Sequence, residues 1–137
     1  MTKNLDKDGL SSIVDNYNLF YIDLWGVVHN GVNLYQSAID TLKEISKKKK
    51  DYVLLTNAPR PNSTVKNFLK KMGMDKEISD NVFTSGEAAL NYLNKNYFDE
   101  KFYHVGPPKD FDLFKSFEKM KLNNIENSEY IICTGLF

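Results

Sequence analysis

Five short apolar runs alternate with segments of helical spacing, and this alternation constrains the fold more than any other feature. The runs occupy 19–25, 52–56, 82–84, 101–105 and 130–134. Leu34, Ala38, Leu42 and Ile45 predict a helix over about 35–47. Val65, Phe68, Leu69 and Met72 predict a second, with Gly73 just past its end. Ala88, Ala89, Tyr92 and Leu93 predict a third, with Ser85 as its N-cap. Phe111, Leu113, Phe114, Phe117 and Met120 predict a fourth. Strand followed by helix, four times over and closed by a fifth strand, is the pattern of a parallel α/β sheet. The expected architecture is a three-layer, Rossmann-like sheet with helices on both faces. The first run is apolar on both sides, as a strand covered on two faces must be. Leu10, Ile13 and Val14 allow a short helix over 8–16, so residues 1–17 read as an extension and 18–137 as one core unit without an internal linker. The sequence stops three residues past the last run, where a doubly wound unit normally adds a covering helix. The chain is therefore expected to be the N-terminal part of a longer protein.

Composition narrows the class. Lysine plus arginine and aspartate plus glutamate both number 18, so no basic field recommends a nucleic-acid partner. One cysteine excludes an internal disulfide or a multi-cysteine metal cage, and Cys133 reads as a buried small hydrophobe. No apolar run approaches the roughly 18 residues of a membrane span, and the N-terminus lacks a signal-peptide core. The expectation is a cytoplasmic protein with neither membrane nor nucleic-acid partners. The Lys47 to Lys50 run reads as a solvated helix end, and Tyr97, Phe98, Phe102 and Tyr103 as core or seam residues.

A single carboxylate, Asp23, interrupts the first run near its carboxyl end. Ligands of open α/β sheets bind just outside that end of the strands. Two roles stand open for it. It accepts loop N–H groups from Gly26 to Val28, or it acts as a nucleophile or Mg²⁺ ligand. Thr56 and Asn57 close the second run, where a hydroxyl and an amide N–H suit a phosphoryl oxygen. Ser85, after the third run, offers a weaker contact of the same kind.

The stretch from Phe20 to Gly31, with Asp23-Leu24-Trp25-Gly26 at its centre, followed by Thr56-Asn57-Ala58-Pro59-Arg60, resembles the first two motifs of the haloacid dehalogenase-like hydrolases. The nearer likeness is to the branch with an α/β cap inserted midway through the core, and within it to an Asp-Leu-Trp-Gly subgroup. The resemblance implies a Mg²⁺-dependent phosphatase of a small phosphorylated metabolite, a sugar phosphate or nucleotide among the options, working through an aspartyl-phosphate. Asp23 then takes the role of nucleophile and metal ligand, and the backbone carbonyl of Trp25 that of a second ligand. Thr56 and Asn57 hold the transferred group, and Gly26, Arg60 and Ser85 are candidate substrate contacts. Trp25 occupies the position where the family places its acid/base aspartate, and an indole only donates a hydrogen bond. His29 is the candidate replacement. The family's later lysine and acidic motifs are not met in this sequence, and Glu87, Asp110 and Asp112 fall in no matching motif. Weak Mg²⁺ binding and negligible turnover are therefore expected of these 137 residues alone. The first strand is expected to be an exposed edge, prone to homodimerisation or aggregation. The alternative is a non-catalytic descendant that binds a phosphometabolite or a protein. A phosphoacceptor receiver fits less well, because Asp6 and Asp8 precede a helix rather than a strand end.

Overall fold

A computed structural model describes residues 4–135. The elements follow the expected alternation. Strands are β1 Leu19–Asp23, β2 Asp51–Thr56, β3 Val82–Thr84, β4 Phe102–Val105, β5 Lys121–Leu122 and β6 Tyr130–Cys133. Helices are α1 Leu5–Asp8, α2 Gln36–Lys47, α3 Asn62–Lys71, α4 Lys76–Ser79 and α5 Ser85–Asn96. β1 pairs with β2, and β4 with both β5 and β6, in parallel. This is a Rossmann-like α/β core.

The strands form two sheets rather than the single one that alternation alone suggests. Periodicity identifies strands but is blind to which strand pairs with which. The chain divides into two compact units, 4–56 with 69–82, and 57–68 with 83–135.

In the first unit β1 pairs with β2 in the register Leu19↔Asp51 to Asp23↔Leu55. The start of β3 follows on the far side of β2, where the Leu54 N–H donates to the Asn81 carbonyl at 2.9 Å. That leaves β1 at the sheet edge, as expected. Ile39, Leu42 and Ile45 of α2 are buried, together with Tyr52, Leu54, Val82 and Ile78. Side chains alternate across a strand, and here only one face is covered: Leu19, Tyr21 and Leu55 remain exposed. Before β1, the expected helix over 8–16 is instead α1 and two separate 3-10 turns, Leu10–Ser12 and Val14–Asn16. Gly9, at φ +67°, stands between α1 and the first turn and breaks any continuous helix.

In the second unit Phe102 of β4 is 0% exposed and packs with Leu113, Phe114 and Phe117, flanked by Leu90, Leu93, Tyr130 and Ile132. The expected fourth α-helix is a 3-10 segment, Pro108–Met120, interrupted at Phe117. Phe111, Phe114, Phe117 and Met120 recur every three residues, the repeat of a 3-10 turn rather than of an α-helix. Cys133 is exposed, not buried: along β6 it is Ile132, one place earlier, that turns inward. Among the described residues no helix is long and apolar enough to cross a membrane.

Candidate active site

The first unit carries Asp23 at the last position of β1. Its Oδ1 accepts the N–H of Leu24 at 2.7 Å. The N–H groups of Gly26, Val27 and Val28 are spent elsewhere: Gly26 donates to the His29 carbonyl, and Val27 and Val28 to that of Leu24. Beyond the Leu24 N–H the carboxylate accepts none of these turn amides, and it stands exposed at the lip of the strand.

That turn is a compact knot. Trp25 and His29 form a bridge in which the Leu24 carbonyl accepts the His29 N–H at 3.2 Å and the His29 carbonyl accepts the Gly26 N–H at 2.8 Å. This pairing leaves the carbonyl of Trp25 itself out of the bridge. His29 is 4% exposed, and its Nδ1 accepts the Gly31 N–H at 2.9 Å, which places the proton of the neutral ring on Nε2. Burial lowers the His29 pKa below its ordinary value, and the charge of Asp23 pulls the other way. With its ring buried and Nδ1 accepting the Gly31 N–H, His29 helps to hold this turn together.

Trp25 is 66% exposed. Its indole meets the His29 ring edge-on, with centroids 5.6 Å apart and planes at 88°. On its other side lies Gly31, where an added Cβ would sit 2.5 Å from the indole Cζ3. Gly31 also has φ +89°, so a residue without Cβ is required there twice over.

Thr56 ends β2, one place beyond Leu55, the partner of Asp23. Strand alternation puts Asp23 and Thr56 on opposite faces, so any group that touches both must sit past the strand ends.

The second unit holds Asn57, Arg60 and Ser85, and there the loop 58–62 is welded to the start of α5. The Ser85 hydroxyl and the Gly86 N–H both donate to the Ala58 carbonyl, at 3.0 and 3.1 Å. The Thr84 hydroxyl donates to the Arg60 carbonyl at 2.6 Å. Thr84, not Ser85, is the N-cap of α5, and its Oγ1 accepts the Glu87 N–H at 2.9 Å. Thr84-x-x-Glu87 is a capping-box pattern with one member inserted: Asn62 Oδ1 accepts the Thr84 N–H while Glu87 Oε2 accepts the Asn62 N–H, each at 2.9 Å. A Cβ on Gly86 would collide with the backbone N, C and O of Arg60.

The guanidinium of Arg60 faces Asp110 at 3.5 Å and Asp112 at 3.7 Å. Asp110 is 3% exposed. Asp112 Oδ2 accepts the Thr64 hydroxyl at 2.8 Å, while its Oδ1 is buried with no hydrogen-bond partner among the described residues. Arg60 and Ser85 thus have their polar groups engaged within their own unit. Sequence reasoning missed this network. The capping-box spacing was its legible part, whereas the carboxylate pair flanking Phe111 carries no motif.

The donors that the resemblance implies for a metal are the Asp23 carboxylate and the Trp25 carbonyl. Hard oxygen donors of this kind fit Mg²⁺, which keeps several waters and uses one or two carboxylates. Among the described residues no three His, Cys, Asp or Glu side chains are grouped to hold a metal.

A parallel α/β core with a lone carboxylate at the lip of a strand defines a class that comparison with known proteins makes specific. Residues 20–119 match the family model of the haloacid dehalogenase-like hydrolases. The chain belongs to that family. It is 30% identical over 105 residues to phosphoglycolate phosphatase 2 of Arabidopsis thaliana, covering 74% of this chain and 35% of that protein. A haloacid dehalogenase-like hydrolase from Brucella suis superimposes with a TM-score of 0.78 at 27% identity, over 93% of this chain and 46% of that one. The 4-nitrophenylphosphatase of Thermotoga maritima shares the fold, with a TM-score of 0.66 at 24% identity over 88% of this chain and 46% of its own. The chain thus spans less than half the length of these relatives.

Proposed function

We propose that this chain supplies the nucleophile side of a Mg²⁺-dependent phosphatase acting on a small phosphorylated metabolite, the active protein extending past residue 137. The observation that carries the reading is the Asp23 carboxylate, exposed at the end of β1 beside the end of β2 and held by the turn that follows only through the Leu24 N–H among its backbone amides. Asp23 attacks phosphorus, the ester oxygen leaves, and an aspartyl-phosphate forms that water later hydrolyses. The Thr56 hydroxyl donates to a phosphoryl oxygen, and the resemblance gives the Asn57 amide the same task. Asp23 and the Trp25 carbonyl would hold Mg²⁺, which would supply positive charge to the phosphoryl oxygens. The resemblance adds Gly26, Arg60 and Ser85 as substrate contacts, and within their own unit Arg60 and Ser85 fix the loop 58–62.

Trp25 favours a second reading, a binding protein without turnover, because general acid–base catalysis contributes about 10²–10⁴-fold and an indole provides none. One comparison separates the two. Beryllium fluoride with Mg²⁺ is added to the polypeptide extended past residue 137 and to its Asp23→Asn variant. A trapped complex on the parent alone, with phosphomonoesterase activity lost in the variant by at least about 10²-fold, supports the enzyme. Phosphate-ester binding that survives Asp23→Asn, with no complex and no turnover, supports the binder. The exposed backbone edge of β1 also supports pairing of two chains, which light scattering at rising concentration tests.

A further inference from the structure

We infer that Trp25 is a specificity-determining residue: its indole is a fixed platform that selects phosphomonoesters with a planar, phenol-like leaving group. The inference rests on the phosphoryl-site reading and names the substrate class for it.

Three observations carry it. First, the indole is held on two sides, by the edge-on His29 ring and by Gly31, whose missing Cβ leaves it room. A tryptophan that merely strayed onto the surface would not need a glycine at φ +89° beneath it. Second, the ring nevertheless stays 66% exposed, so an apolar surface of aromatic size faces outward two residues from the candidate nucleophile. Aromatic rings meet such a surface in offset or edge-on contact, which adds to the gain from burial. Third, Trp25 stands where the resemblance places an acid, and its side chain has no group that can protonate a departing oxygen. The P–O bond then breaks with its electron pair going to an oxygen that leaves as the anion. A phenolate, whose parent acid has a pKa near 10 as in tyrosine, accepts that pair far more readily than an alkoxide. Platform and leaving-group chemistry therefore point to the same substrates.

The test uses equilibrium binding, so it does not depend on turnover. Trp25 is the only tryptophan of these 137 residues, and its emission is isolated as the difference between the parent and Trp25→Phe. Inorganic phosphate, phenyl phosphate and glycerol 3-phosphate are titrated in Mg²⁺ into the polypeptide extended past residue 137, followed by Trp25 emission and by ligand-observed NMR. The expected result is quenching by phenyl phosphate and a Kd at least about fivefold below that of glycerol 3-phosphate, in line with one aromatic contact. The preference should vanish in Trp25→Ala, followed by NMR, and survive largely in Trp25→Phe. Equal affinity for the two esters, or a preference that persists in Trp25→Ala while phosphate still binds, overturns this inference and leaves the phosphoryl site standing. Failure of inorganic phosphate and both esters to bind overturns the two together.

Discussion

The two sheets of this chain are built from similar runs of residues and finished differently. Around β4 the apolar side chains close on one another, with Phe102 at 0% exposure among Leu113, Phe114 and Phe117. Around β1 one face is packed beneath α2, and the other presents Leu19 and Tyr21, the latter 67% exposed, to solvent. Apolar content alone does not say which strand stabilises its unit. The closed sheet supplies stability, whereas the open one supplies an edge and a lip on which chemistry can be placed. Truncation separates them most sharply. Phe102→Ala should cost about 4 kcal/mol, as large-to-small changes at filled core positions do. Tyr21→Ala, although it removes a ring of similar size, should cost within about 0.5 kcal/mol. Chemical denaturation of the two variants measures this, and equal losses would mean that Tyr21 is covered in solution.

A smaller effect probes the weld in the second unit. Gly86 lies in the first turn of α5, where helix propensity alone would favour alanine by about 1 kcal/mol. The Arg60 backbone occupies the space that the new Cβ needs, so Gly86→Ala should instead destabilise by about 2 kcal/mol, the range of overpacking. Amide exchange at Arg60, Asn62 and Gly86 should quicken with it, because the Ala58 carbonyl accepts both the Ser85 hydroxyl and the Gly86 N–H, and Asn62 donates to Glu87. A stabilised variant would show that the loop gives way.

The elements were legible in the sequence because period and punctuation are local. The run from Leu19 to Asp23, α2, β2 and α5 stand within a residue or two of where spacing puts them. Asp23 was legible as well, since a lone carboxylate in an apolar strand is conspicuous wherever the strand goes. Partnership was not legible. Whether Tyr130 to Cys133 joins β1 or β4 depends on long-range pairing, which no window of sequence contains. β5, two residues long, has no period to read. Cys133 was misplaced because its burial turns on which face of β6 meets Phe102, and a one-residue shift reverses that. The 3-10 segment was readable in principle from the three-residue repeat of Phe111, Phe114, Phe117 and Met120. The clamp of Arg60 on Asp110 and Asp112 joins residues fifty positions apart and could only be seen folded.

The smallest expected effects come from the two histidines, one in each unit, and they sharpen the comparison furthest. Burial lowers the pKa of both His29 and His104. Their secondary influences differ: Asp23 raises His29, whereas Lys121 lowers His104 further and Asp110 opposes it. A histidine with a lower pKa folded than unfolded makes the unfolded chain the better proton acceptor. Each ring's contribution to stability is thus whole above the ordinary value of 6.5 and is lost as pH falls through the folded value. Substitution tells the two environments apart. Asp23→Asn removes the raising influence, so the His29 midpoint should move lower while that of His104 stays. Lys121→Gln removes a lowering influence, so the His104 midpoint should rise while that of His29 stays. Ring-proton NMR titration of the parent and both variants reads each midpoint separately. A His29 midpoint unmoved by Asp23→Asn would mean that the carboxylate turns away from the knot formed by Trp25, His29 and Gly31. The open end of β1 would then hold two unrelated surface features instead of one site.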